Sequence, residues 1–119
     1  MEKQPALIRF MDKRESFIWI RPGEILFIKS ADHYVKTLVQ HGNIKKWTIR
    51  HSTLKEILKL LTQNDFIRLN KFYIINRNFI SHLDENAKTI YLLDGFPISI
   101  THRISPFILG MFQYEAKPR

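Results

Sequence analysis

The residues best suited to chemistry sit in one stretch, Phe66-Ile67-Arg68-Leu69-Asn70-Lys71-Phe72-Tyr73-Ile74-Ile75-Asn76-Arg77. Apolar side chains flank Arg68, Asn70 and Lys71, so these three polar groups should project from a loop or strand end that is anchored to a core. Arginine and lysine can donate to guanine O6 and N7, and asparagine can pair with adenine N6 and N7, which is the chemistry of base reading in a major groove. An ordinary polar connection between two strands has the same composition. Taken alone, the stretch leaves both readings open.

Other chemistries are poorly served. The five histidines, His33, His41, His51, His82 and His102, are dispersed along the chain with no carboxylate spacing that suggests a metal site, and they read as loop or surface residues. Asp84 and Glu85 are adjacent in a turn and face different ways, which does not suit an acid/base pair. The four glycines are isolated, so there is no phosphate-cradling loop. Zero cysteines exclude a disulfide scaffold, a thiolate metal site and a cysteine nucleophile. The chain is therefore not expected to be an enzyme or to carry a metal or cofactor.

The charge is localised. Of a formal net +8 over 119 residues, residues 29–77 hold ten basic and three acidic side chains, and residues 78–119 hold four of each. Lys55 and Lys59, four apart on a helix-like segment, can be a solvated face, but the segment stays strongly basic without them. Such a surface favours a polyanion, usually nucleic acid and sometimes a membrane surface. No apolar run is long enough to span a bilayer, and the N-terminus lacks signal- or transit-peptide character. A cytoplasmic location without membrane association is the expectation.

The elements that must hold these residues are mostly short strands. Residues 8–11 and 17–20 flank the polar turn Asp12-Lys13-Arg14-Glu15, and Pro22-Gly23 precedes a strand over 25–29. Residues 34–39 and 45–49 flank Gly42-Asn43, a hairpin signal. From 51 to 63, Leu54, Ile57, Leu58 and Leu61 recur at i, i+3, i+4 and i+7, which predicts one principal helix over about 53–62. Thr53 and Glu56 form a capping-box signature at its start. Two strands over 66–69 and 72–75, a polar turn over 76–80, and a hairpin of 89–93 with 98–101 follow. Ser105-Pro106 can open a short C-terminal helix. The hydrophobic fraction of 45% and the lack of repeats or linkers indicate one mainly β domain over 1–119, with its core over about 6–110.

In order and spacing, four blocks of this chain resemble the LytTR family of bacterial DNA-binding domains. They are Glu24-Ile25-Leu26-Phe27-Ile28-Lys29-Ser30-Ala31-Asp32-His33-Tyr34, the helix from Thr53, residues 66–76, and Pro97-Ile98-Ser99-Ile100-Thr101-His102-Arg103. The resemblance implies an elongated arrangement of antiparallel β-sheets whose loops enter successive major grooves on one face of the duplex. Carried over by position, it implies base readout by Asp32, His33 and Lys36 in a first loop, Arg68, Asn70 and Lys71 in a second, and Thr101, His102 and Arg103 in a third. Lys29, Lys45, Lys46, Arg50 and Arg77 are the expected phosphate contacts. Four positions depart from the family pattern: Lys29 replaces an acidic residue, Asn70 a histidine, Phe72 a serine and His102 an arginine. Phe72 is expected to repack the core or stack nearby rather than read a base, and Tyr34 and Tyr73 to be half-buried strand residues.

The implied function is sequence-specific double-stranded DNA binding by a bacterial transcriptional regulator of the response-regulator effector type, standing alone or excised from a longer protein. A homodimer on repeated half-sites fits the resemblance. A basic protein-interaction module that partners a sensor or another regulator is the alternative, with the aromatics of residues 107–114 as its feature. The apolar run from Phe107 to Phe112 can either pack on the sheet or make a dimer contact.

Overall fold

A computed structural model describes residues 7–61, 65–84, 86 and 88–115. In chain order the strands and first helix are β1 Ile8–Met11, β2 Phe17–Ile20, β3 Ile25–Ser30, β4 Val35–His41, β5 Ile44–Arg50 and α1 Leu54–Leu60. They are followed by β6 Phe66–Arg68, β7 Tyr73–Asn76, β8 Ile80–Leu83, β9 Thr89–Leu92, β10 Pro97–Ser99 and α2 Pro106–Glu115. One antiparallel sheet has the order β2-β1-β5-β4-β3-β7-β6, and a second has the order β10-β9-β8. The extents, 42 × 39 × 26 Å, are those of a broad, thin slab.

The centre of the large sheet is buried on both faces, which explains why Ile25, Leu26, Phe27 and Ile28 form an unbroken apolar run rather than an alternating one. A bulge between Ile25 and Phe27 puts two residues of β3 against a single step of β4. As a result Leu26 and Phe27 both join the core beneath the small sheet, while Ile25 and Ile28 join the core beneath α1. Strand β7, Tyr73 to Asn76, is likewise wholly buried. Asn76 is the buried polar residue of this pair of strands: its Nδ2 donates to the Ile25 carbonyl at 2.9 Å, and its Oδ1 accepts from the Asn78 amide at 3.0 Å.

Helix α1 covers one face through Leu54 and Ile57, with Leu61 just beyond its end. Both halves of its capping box form: Thr53 Oγ1 accepts from the Glu56 amide at 3.0 Å, and the Thr53 amide donates to Glu56 Oε1 at 2.9 Å. The helix closes at Leu60, short of the expected end near 62, and residues 62–64 lie outside the described residues. On the other face, α2 buries Phe112 and lays Ile108 and Leu109 against the core under the small sheet. The C-terminal apolar run thus packs on the sheet, and Phe107 remains 79% exposed. Gly42, at φ +65°, opens the two-residue turn between β4 and β5, where positive φ matches the strand twist.

One strand is not apparent from the sequence. Ile80-Ser81-His82-Leu83 forms β8 where a turn was expected to end, and its pairing with β9 is irregular between Ile80 and His82. That irregularity breaks the period-two pattern over a segment with two apolar residues, so the strand depends on β9 for its definition.

Replacing Thr53 with Ala should cost about 1 kcal/mol of unfolding free energy in urea titrations. The Thr53 amide holds the Glu56 carboxyl below its ordinary value. The contribution of that group is complete above the ordinary value and is lost as pH falls through the lowered one. Glu56→Gln should therefore flatten the acid limb of the urea-midpoint profile relative to wild type.

Candidate nucleic-acid interface

Three connections gather at one end of the large sheet. Loop 1, residues 31–34, joins β3 to β4 and is closed by the Ala31 amide donating to the Tyr34 carbonyl at 2.9 Å. Loop 2, residues 69–72, joins β6 to β7, and the Leu69 amide donates to the Tyr73 carbonyl at 2.9 Å. These loops are neighbours because β3 and β7 pair directly, and the Ser30 amide donates to the Phe72 carbonyl at 2.9 Å. Loop 3, residues 100–105, follows β10 and is pinned by buried Ile100 and Ile104.

Loop 2 is shaped by its own polar side chains. Arg68 folds back so that Nε donates to the Asn70 carbonyl at 3.1 Å and Nη2 to the Lys71 carbonyl at 3.2 Å. Asn70 Oδ1 accepts from the Phe72 amide at 2.7 Å, and its Nδ2 reaches the carbonyls of His102 and Arg103, each at 3.3 Å. The Phe72 ring stacks on His102 with centroids 3.9 Å apart and planes 25° from parallel. Tyr73 Oη lies 2.7 Å from Thr101 Oγ1, which lies 2.9 Å from His102 Nδ1. Loops 2 and 3 are therefore one cross-braced unit, although about thirty residues separate them in sequence. Lys71, His102 and Arg103 are exposed at its rim.

Of the residues expected from the sequence, Asp32 and His33 are exposed in loop 1, while Lys36 is half-buried one residue into β4. Lys36 stands directly opposite Lys29 on β3. Like charges in that relation are unfavourable, by roughly 0.2–1 kcal/mol, and an anion would relieve the cost. Arg50 belongs to the same end, opposite Val35, but its Nη1 donates to the Arg9 carbonyl at 2.8 Å and ties β5 to β1.

Lys45, Lys46 and Arg77 are elsewhere. Lys46 pairs with Val39, four residues along β4 from the loop end, or roughly 13 Å at strand spacing. Lys45 forms an ion pair with Asp94 of the turn between β9 and β10, lies 5.1 Å from the Phe96 ring centroid, and has a side chain only 16% exposed. Its hydrogen bond holds the Asp94 carboxyl below the usual carboxylate range. Arg77 follows β7 at the end remote from loop 2.

Sequence reasoning overlooked the turn between β5 and α1. An open groove of 490 Å³ runs between it and loops 1 and 2, lined among others by Asp32, His33, His51, Lys55, Arg68 and Lys71. The signal was present: a two-residue turn at Gly42 returns β5 to the end where β4 began, which brings residue 51 beside loop 1. Tyr34, half-buried, meets His51 edge to face at 6.3 Å. Also unforeseen is the open outer edge of the sheet, where Phe17 and Trp19 are more than half exposed and the Arg9 guanidinium covers the Phe17 ring at 4.3 Å. Among the described residues no helix is long and apolar enough to cross a membrane.

The fold and this end of the sheet define a β-framework that presents loops, and comparison with known proteins assigns it. The family model for the LytTr DNA-binding domain matches residues 15–106. The chain belongs to the LytTR DNA-binding domain family, the effector class found in transcriptional regulators. Among solved structures it is similar to the LytTr DNA-binding domain of a protein described as a methyl-accepting/DNA response regulator from Bacillus cereus. That match has 18% identity and a TM-score of 0.64, and covers 93% of this chain and 96% of the other. No curated protein matches the sequence.

Asn70→Ala leaves the Phe72 amide without its acceptor and loop 3 without its tether. It should lower stability by about 1–3 kcal/mol. The Phe72 amide should exchange with deuterium markedly faster than in wild type, whereas amides in β4 should be unchanged.

Proposed function

We propose that the chain binds double-stranded DNA sequence-specifically, as the effector of a transcriptional regulator, with loops 1, 2 and 3 entering successive major grooves on one face. The observation that carries this reading is the convergence of three exposed, braced loops at one end of the sheet, beside the directly opposed Lys29 and Lys36.

Within this reading Asp32, His33, Lys71, His102 and Arg103 approach bases. Arg68, Asn70 and Thr101 hold the loops that carry them. Lys29 and Lys36 contact phosphates, with Arg50 behind them. Lys45, Lys46 and Arg77 are remote from this approach and are not assigned to it. Two copies on half-sites one helical turn apart would lie on the same duplex face. The exposed Phe17 and Trp19 edge favours a second, compatible role as a contact for a protein partner.

Fluorescence anisotropy against random duplex at two salt concentrations tests the electrostatic part. Lys36→Ala should weaken binding to all sequences and lower the salt slope by about 1, while Lys46→Ala should leave both nearly unchanged. Absence of binding at low salt would defeat the proposal. On a site selected from random sequence, Lys71→Ala or Arg103→Ala should cost on the order of 1–3 kcal/mol and flatten discrimination. Equal losses on selected and random duplex would argue against direct reading by those side chains.

A further inference from the structure

The cross-brace between loops 2 and 3 constrains which base edge that unit can recognise. Asparagine offers both a donor and an acceptor, and at an exposed loop it would suit adenine. Here the Asn70 acceptor is occupied by the Phe72 amide, and its amide nitrogen is shared by the two loop 3 carbonyls. The acceptor that could take a proton from adenine N6 or cytosine N4 is thus turned inward.

A hydroxyl relay governs His102 in the same way. Tyr73, only 6% exposed, accepts at Oη from the Thr101 amide at 3.3 Å, so its own proton requires an acceptor. Thr101 Oγ1, 2.7 Å away, is positioned to accept it. When Tyr73 donates to it, the Thr101 hydroxyl is free to donate to His102 Nδ1 at 2.9 Å, an arrangement that leaves Nδ1 unprotonated and the ring proton on Nε2. Phe72 fixes the plane of that ring from one side. Lys71, with an ammonium, and Arg103, with a guanidinium, are donors without acceptors.

Building on the DNA-binding reading above, we infer that loops 2 and 3 form a single donor-only head that selects guanine, with His102 locked as the Nε2–H tautomer to donate to N7 or O6. Guanine is the base whose major-groove edge offers two adjacent acceptors, so it fits a head whose outward side-chain groups are donors. Asn70, Tyr73 and Thr101 are positioning residues: they set the tautomer and the loop path without touching the base. Phe72 and His102 are the two halves of one stacked pair.

Two measurements on the full chain test this. In the free protein, long-range ¹⁵N–¹H correlation of the neutral His102 ring should show a protonated Nε2 and a bare Nδ1, and Thr101→Val should shift it toward a tautomer mixture. A protonated Nδ1 in wild type overturns the relay. Selection from random duplex should then recover guanine at the position whose preference is lost in His102→Ala. Placing 7-deazaguanine there should weaken wild type by roughly tenfold, with little further effect on His102→Ala. Adenine or cytosine at that position, with tight binding retained, overturns guanine selection while leaving DNA binding intact. Failure to bind any duplex at low salt overturns the DNA-binding reading as well, and the ring measurement distinguishes that case because it needs no DNA.

Discussion

The structure depends on two adjacent strands that are buried on both faces. Residues 25–28 of β3 and Tyr73 to Asn76 of β7 lie between α1 on one side and the small sheet with α2 on the other. Because each face has its own core, a one-residue slip would move Ile28 and Ile74 out of one core and Phe27 and Ile75 out of the other. Truncating such a residue to alanine typically costs 2–5 kcal/mol, so the register is strongly held. That register places Ser30 against Phe72, and so sets loop 1 beside loop 2. The functional end inherits its geometry from the centre of the sheet.

In the proposed complex, attachment and selection fall to different parts of this end. The opposed Lys29 and Lys36 sit on strands, where their spacing is fixed and their charges are partly sheltered, which suits sequence-independent attraction to phosphate. Lys71, His102 and Arg103 are on loops anchored by buried Leu69, Ile100 and Ile104, and between those anchors the loops are stiffened by bonds to backbone carbonyls. The exposed tip of such a loop cannot be buried, so internal polar bracing holds its shape between the anchors. Net charge records only the first of these roles, and it also counts Lys45, which is neutralised locally by Asp94 at the far end.

Local signals were legible in the sequence. The 3.6-residue period and capping box of α1, the Gly42 turn and the continuous apolar run of β3 each follow from short-range physics and appear in the structure. Strand β8 was hidden because its pairing is irregular and its two apolar residues, Ile80 and Leu83, do not alternate with period two. The three loops could be named from family resemblance, but the bond from Asn70 to residues 102 and 103 joins segments whose proximity depends on both sheets. The far position of Lys45 and Lys46 was readable in principle, since a strand leaving loop 1 and turning at Gly42 must carry them about 13 Å or more from that loop. Counting charge by sequence segment ignored the direction of the strand.

In the proposed complex, one end of the sheet meets the duplex through three loops. Amide chemical-shift mapping during titration with a selected duplex tests it most directly. Changes should concentrate at residues 31–34, 69–72 and 101–103, with the turn at residues 41–44 unaffected. Changes centred on that turn or on the Phe17 and Trp19 edge, with the three loops unmoved, would contradict it.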